Sequence, residues 1–407
     1  MTSASNGTPA AIPVGWFGLD PFERRSDRHD NVYELLNELR EQYPVHRTPL
    51  GHYRVMRHVD VVRVLKEFKV GVRTTDGKLP GIDETTLPRR FMLMQDPPDH
   101  TRLRRLVSRA FTPPAIERLR PHVVELVDEM LDKVQERGVL DVIADLARPL
   151  PSTVICEMLG VPLEDRATFT DWTSHITHLL QPQIMSETMR PRAMDAALGL
   201  YQYMQKLIEE RRSRPGTDMV SVLVRAEEDG DQLTAEEVVV QSVGLLVAGF
   251  ETTIGLIGNG VRQLLLHPEQ LAKLRARPDL IVRAVEECLR FDGPIPATRR
   301  VLHEDVEIGG YPIPKDSELM LSLAAAHRDP RVYQDPDRFD IERSSASHLA
   351  FGGGIHFCLG AHLARLESQI AIGGLLRRFP RLELVDEEPA WGQSLFRVQA
   401  ELPVRIG

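Results

Sequence analysis

The sequence predicts a mainly α-helical fold with small β-sheets, on three observations. Apolar residues recur at three- and four-residue spacing through most of the 407 residues, the pattern of amphipathic helices. One such stretch, from Thr234 to His267, predicts a helix about 50 Å long at 1.5 Å per residue, too apolar to stand outside a core. Alternating segments are short and few: residues 53–56, 306–308 and 382–385 predict strands of small sheets near the N-terminal third and in the C-terminal half.

In chain order, residues 1–14 are polar and small and predict a flexible tail without the basic and apolar regions of a secretion signal. Beyond Pro97 and Pro98, His100 and Arg104 stand four apart, on one face of a predicted helix. Thr234 and Glu237 form a capping box that opens the long helix, and Pro268 ends it. Asp279 offers an N-cap to the next helix, which carries Glu287 and Arg290 three apart. Arg299 and Arg300 then lead into a strand-like pair, Val301 and Leu302. Leu359, Leu363, Leu366 and Ile370 predict a helix that places Cys358 at its N-terminus, where the dipole favours an anion.

Length alone allows two or three domains, although no linker, repeat or low-complexity tract divides the chain. Lys and Arg number 50 against 59 Asp and Glu, and a net charge of −9 gives no reason to expect nucleic acid as a partner. Three cysteines, Cys156, Cys288 and Cys358, are too few and too scattered for a disulfide framework, and the first two read as core thiols. The longest apolar run, residues 238–250, contains Gln241 and Ser242, meets Glu251, and falls short of a membrane span.

Two places break local rules. Inside the long helix, Gly249, Glu251, Thr252 and Thr253 interrupt an apolar run; glycine there costs about 1 kcal/mol and a buried acid needs compensation. A structural reading has Gly249 relieving a close neighbour and Thr252 satisfying a carbonyl one turn back. A chemical reading has an acid beside an alcohol forming a proton relay next to an oxygen-binding pocket. Around Cys358, glycines at 352, 353 and 354 permit a tight backbone that passes close under a flat macrocycle, with amides placed to hydrogen-bond a sulfur. The alternative is a glycine-rich turn before a buried structural cysteine.

Phe351, Gly354, Cys358 and Gly360, in the order Phe-x-x-Gly-x-x-x-Cys-x-Gly, resemble the haem-binding signature of the cytochrome P450 superfamily, of the soluble bacterial type. Residues 248–252 are similar to its Ala-Gly-x-Asp/Glu-Thr motif. Glu287 and Arg290 are similar to its Glu-x-x-Arg pair, whose third partner would be Arg338 or Arg343. The likeness spans nearly the whole chain and implies a single haem-thiolate domain over residues 15–407, with the long helix crossing the haem pocket.

The resemblance also implies roles. Haem b would take the Cys358 thiolate as axial ligand, sulfur being the donor that favours O–O cleavage. It would be held by His100, Arg104, Ala248, Gly249, Arg300, Phe351, Gly352, His356 and Gly360, with Arg299 a one-residue alternative to Arg300. Thr252 and Glu251 would be catalytic, in oxygen contact and proton delivery. Substrate would meet Leu93, Leu245, Ala248, Ile295, Ala297 and Phe396, together with loops at 79–93 and 175–194, where Met185, Met189 and Met194 would be adaptable walls.

The implied activity is a monooxygenase that inserts one oxygen atom of O2 into a medium-to-large apolar organic molecule, by hydroxylation or epoxidation. A lipid, terpenoid, steroid or polyketide of bacterial secondary metabolism fits. No flavin or nicotinamide motif occupies the chain, so electrons would come from a separate ferredoxin or flavodoxin-type donor, docked on Arg102, Arg105 and Arg365. A cytoplasmic monomer without membrane anchor is expected. Two other classes compete: a non-catalytic haem-thiolate module that senses gas or recruits a partner, and a zinc site at His356 and Cys358, which lacks a second ligand pair.

Overall fold

The computed structural model describes residues 32–48, 51–80, 91–176, 179, 187–228, 231–344, 348–392 and 396–407. The tail at 1–14, Met185 and parts of the two substrate loops lie outside the described residues. The chain divides into two compact units, one of Met1–Ile82, Ile295–Arg338 and Ser344–Cys358, the other of Asp83–Pro294, Phe339–Arg343 and Leu359–Gly407.

The first unit is built on a five-stranded sheet in the order Val45–Arg47, Tyr53–Val55, Glu318–Ser322, Ala297–Leu302, Val70–Gly71. Tyr53–Val55 runs parallel to Glu318–Ser322 and the other pairings are antiparallel. Tyr53, Arg54 and Val55 are all buried, so this strand is covered on both faces rather than alternating between core and water. Val45, Val55, Leu302, Leu319 and Leu321 form a core with Val61, Val64 and Leu65 of the helix His58–Lys66. Each such side chain contributes about 1.5–3 kcal/mol by leaving water. The strand expected at 306–308 forms a hairpin with Tyr311–Ile313.

The second unit is helical around Ala235–Leu266, a helix of 32 residues whose ends agree with expectation to within a residue. Thr234 Oγ1 accepts from the Glu237 amide at 3.1 Å and Glu237 Oε2 accepts from the Thr234 amide at 2.9 Å, the reciprocal capping box. Met189–Ser213, Pro149–Leu159, Ile281–Asp292 and Ala361–Arg378 pack around it. The expectation drawn from residues 238–250 needs correction. Taken whole, the helix meets the length and composition of a membrane span, but 72% of its most apolar window is buried inside the protein, which is the environment of a core helix.

Glycines explain how neighbours come so close. A Cβ on Gly244 would lie 2.0 Å from Phe91 Cε2, and one on Gly258 would lie 2.5 Å from Ile143 Cδ1. Gly255 and Gly260 are crowded in the same way by Pro294 and by Ile372 with Cys288. Only Gly249 of this helix has nothing within 4 Å of such a carbon, so it does not relieve a close neighbour.

Two helix starts differ from expectation. Asp279 falls in a 3-10 turn, Pro278–Leu280, that Pro278 initiates, and the helix Ile281–Asp292 begins after it without a side-chain cap. The helix after the cysteine begins at Ala361, so Cys358 precedes its first turn instead of sitting in it. The strand expected at 382–385 is Leu382–Leu384, at the edge of a three-stranded sheet with Pro403–Ile406 and Val139–Asp141.

Candidate functional site

In the first unit, the loop before Cys358 is bent by Gly352 at φ 70° and Gly354 at φ 65°, left-handed values that disfavour any side chain. A Cβ on Gly354 would meet the Leu65 carbonyl oxygen at 2.4 Å, so the loop rests on the backbone of the helix His58–Lys66. The Cys358 amide donates to the Phe351 carbonyl at 2.9 Å, and the Phe357 amide to that of Gly354 at 3.1 Å. The Cys358 amide thus closes the loop. Upstream, the Leu349 amide donates to His327 Nε2 at 2.8 Å, which fixes that buried ring as the Nδ1-protonated tautomer.

Cys358 is exposed and outside any disulfide, and Ile355 and Phe357 before it are 47% and 43% exposed. Cys156 and Cys288 are buried, and burial pushes the Cys156 thiol up to about 12 and that of Cys288 higher still, which makes both inert core groups. His356, two residues before Cys358, and Phe351, whose carbonyl accepts from the Cys358 amide, are half-buried.

The strand Ala297–Leu302 separates the two arginines that sequence left ambiguous, because successive side chains point to opposite faces. Arg299 pairs with Glu318 at 3.1 Å and donates to the Pro80 carbonyl at 2.7 Å. Arg300 is buried and donates to the Arg299 carbonyl at 2.6 Å and to Thr298 Oγ1 at 3.3 Å. Ile295 is half-buried against the sheet core, and Ala297 opens the strand.

In the second unit, His100 is buried and Arg104 half-buried on the helix Asp99–Ser108, four apart as expected. Arg102 on the same helix forms an ion pair with Glu237 of the capping box, and Arg365 makes a two-point pair with Glu286 at 2.6 and 2.8 Å. Two of the three arginines expected to form an open basic patch are therefore neutralised by carboxylates; Arg105 stays exposed.

The long helix is buried nearly throughout, yet Ala248 is exposed and Gly249, Glu251 and Thr252 are half-buried. Leu245, Ala248 and Thr252 follow one another at three and four, along one face. Thr252 Oγ1 donates to the Ala248 carbonyl at 3.0 Å and Thr253 Oγ1 to that of Gly249 at 3.1 Å. The structural reading of Thr252 therefore holds, and its lone pairs stay available to accept. Nearby, the Met92 amide donates to buried Gln241 Oε1 at 3.1 Å, which ties the turn Met92–Met94, with exposed Leu93, to the helix.

Glu287 and Arg290 form a two-point buried pair, with both contacts at 2.7 Å. Arg343 Nε donates to Glu287 Oε1 at 3.2 Å and the Asp340 amide at 2.9 Å, whereas Arg338 is exposed. Arg343 is the third partner.

Haem requires a soft anionic donor, apolar surface for a flat ring and polar groups for two carboxylates. Exposed Cys358, just after exposed Ile355 and Phe357, supplies the first two, and His356 and buried Arg300 in the same unit are polar groups for the third. The residues fit the group.

Sequence reasoning missed a buried polar cluster of Asn259, Gln263, Asp292, Arg397 and Gln399. Its signal was present: Asn259 and Gln263 sit four apart in an apolar helix. It also missed Glu367, fully buried on the helix Ala361–Arg378, whose carboxyl burial pushes up to about 8.

Residues 9–396 match the family model described as Cytochrome P450. The chain is 41% identical over 387 residues to the biotin biosynthesis cytochrome P450 of Bacillus subtilis (strain 168), covering 92% of this chain and 96% of that protein. It is 41% identical over 417 residues to the cytochrome P450 monooxygenase PikC of Streptomyces venezuelae, covering 100% and 97%. Among solved structures it is similar to P450BioI in complex with acyl carrier protein ligated to hexadec-9Z-enoic acid. There the TM-score is 0.86 at 40% identity, over 93% of this chain and 99% of that one.

Proposed function

Because the chain belongs to the cytochrome P450 family, we propose that Cys358 is the thiolate ligand of its haem iron and that Glu251 and Thr252 deliver protons during turnover. The protein is a haem-thiolate monooxygenase that acts on an organic substrate with O2 and electrons from a redox partner. Thiolate-bound haem supplies reductive activation of O2 and insertion of one oxygen atom into the substrate. The remaining steps belong to the chain's own side chains.

Cys358 supplies the soft anionic donor, and Gly352, Gly354 and Gly360 keep the backbone around it free of side chains. His100, Arg104, Arg300 and His356 would donate to the haem carboxylates, and charge-assisted contacts of this kind are about twice as strong as neutral ones. Thr252 donates its proton to the Ala248 carbonyl, so its oxygen is left to accept a hydrogen bond. To pass a proton it must release that bond, a net cost of about 1 kcal/mol. Glu251, next in sequence and half-buried, would reload it from solvent.

The substrate is apolar and medium to large, seated against Leu93, Leu245, Ala248, Ile295, Ala297 and Phe396. A long acyl chain is one candidate, by likeness to the relative solved in complex with acyl carrier protein ligated to hexadec-9Z-enoic acid. The electron donor is a separate acidic protein of ferredoxin or flavodoxin type. Exposed Arg105 and Arg109, on one stretch of surface, would steer it. The enzyme would work as a cytoplasmic monomer.

The single observation that carries this reading is the accessible thiol of Cys358 on a glycine-bent loop seated on Leu65. The test is the absorbance of the reduced protein under carbon monoxide. Thiolate ligation gives a strongly red-shifted Soret band, and Cys358→His should bind haem without that band. A red-shifted band that survives in Cys358→His refutes the assignment.

A further inference from the structure

Residues 396–399 are fastened to the long helix by more than apolar packing. A Cβ on Gly255 would lie 2.7 Å from Pro294 Cβ, 3.0 Å from Val398 Cγ2 and 3.1 Å from the Arg397 carbonyl oxygen. The missing side chain lets that segment lie directly on the helix. One turn further on, Asn259 Nδ2 donates to the Arg397 carbonyl at 2.8 Å and to the Asp292 carbonyl at 3.1 Å, and Asn259 Oδ1 accepts from Gln399 Nε2 at 3.1 Å.

Side chains complete the fastening. Asp292 Oδ1 accepts from Arg397 Nε at 2.5 Å, and Oδ2 accepts from Gln263 Nε2 at 2.9 Å. The Arg397 amide donates to the Pro294 carbonyl at 2.8 Å, and its guanidinium stacks 3.7 Å from the Trp391 ring centroid. Asn259, Gln263, Asp292, Arg397 and Gln399 are all buried.

A buried ion pair seldom gains net stability over apolar packing of the same volume, because desolvation offsets the attraction. What such a network does fix is position: several donors and acceptors are satisfied together in one arrangement only. The segment held here begins with half-buried Phe396. The helix residue it lies on, Gly255, is three residues past Thr252, or about 4.5 Å along the axis at 1.5 Å per residue.

We propose that Asn259, Asp292 and Arg397 are positioning residues that set the place of Phe396 relative to the Thr252 turn, and thereby decide which carbon of the substrate is oxidised. The proposal rests on the reading above that Phe396 is a wall of the substrate pocket.

Two iron-binding probes test it on the holoenzyme by their optical shifts. Imidazole reports access to the iron, whereas 4-phenylimidazole also presses an aromatic ring on the pocket walls. Phe396→Ala should lower the preference for 4-phenylimidazole over imidazole by about tenfold, the scale of one lost aromatic contact. No change would overturn the wall reading itself. If that change is seen, Asp292→Asn should shift the preference several-fold, and the shift should vanish in the Phe396→Ala background.

An unchanged preference in Asp292→Asn, or an equal shift with and without Phe396, overturns the positioning role while leaving the wall reading intact. In protein labelled with 5-fluorotryptophan, Asp292→Asn should also move the Trp391 signal, identified by its loss in Trp391→Phe. A stationary signal counts against the proposal. If Asp292→Asn fails to fold, Asn259→Ser carries the same measurements.

Discussion

Glu287→Ala should destabilise the protein by about 3–5 kcal/mol, the cost of leaving a buried arginine without its carboxylate. The carboxylate accepts four bonds: two from Arg290 at 2.7 Å, one from Arg343 at 3.2 Å and one from the Asp340 amide at 2.9 Å. Arg290 is 3% exposed, so water cannot replace the lost partner. Against the usual total of about 5–15 kcal/mol this is a fifth or more. In urea, with a slope of about 3 kcal/mol per molar, the midpoint should fall by about 1–1.7 M. Arg343→Ala loses its charged hydrogen bond to Glu287, about 1.5–3 kcal/mol, and exposed Arg338→Ala should cost less. Adding Arg343→Ala to Glu287→Ala should cost little more, since both remove the same contact. A midpoint shift below about 0.3 M for Glu287→Ala, or a larger effect at Arg338 than at Arg343, would refute the reasoning.

Thr252→Ala should keep electron consumption and lose product, with hydrogen peroxide released in its place; unchanged coupling between electrons and product would remove Thr252 from the proton path. Gly244→Ala should cost about 1–3 kcal/mol by thermal unfolding, because its methyl group would strike Phe91, and Phe91→Leu should recover part of that. Burial holds the His46 ring down at about 4 against an ordinary 6.5, so the unfolded chain binds its proton first. The resulting stability, about 3 kcal/mol, is complete above pH 6.5 and disappears as pH falls to 4, and His46→Gln should flatten that limb of a stability profile. Glu367 acts in the opposite sense: its folded carboxyl holds a proton up to about 8, so its stability contribution is present below 4.5 and lost as pH rises through 8. Glu367→Gln should remove that alkaline loss.

Much of this molecule was legible because local chemistry and tertiary demand agree. The capping box at Thr234, the break at Pro268 and the apolar spacing between them bound the long helix without help from any neighbour. Positive φ at Gly352 and Gly354 is likewise a backbone requirement that only glycine meets readily. The errors arose where a partner distant in sequence decides. Asp279 looked like a cap, but Pro278 starts a 3-10 turn ahead of the helix. Arg102 and Arg365 looked like open charges until folding brought Glu237 and Glu286 to them. The strand at 53–55 did not alternate cleanly because the sheet buries both its faces. Arg338 and Arg343 were equivalent in sequence and separated only by which one reached Glu287.

The seat of Gly354 on the Leu65 carbonyl has a consequence for directed evolution. Leu65 precedes the iron-ligating loop by nearly three hundred residues, but the two backbones touch, so the end of the helix His58–Lys66 acts as an anvil beneath the cysteine. Exposed Lys66 and Glu67 sit at that end. A library confined to residues 63–68 and sorted by midpoint potential should therefore yield variants whose potential shifts through the seat of the cysteine loop.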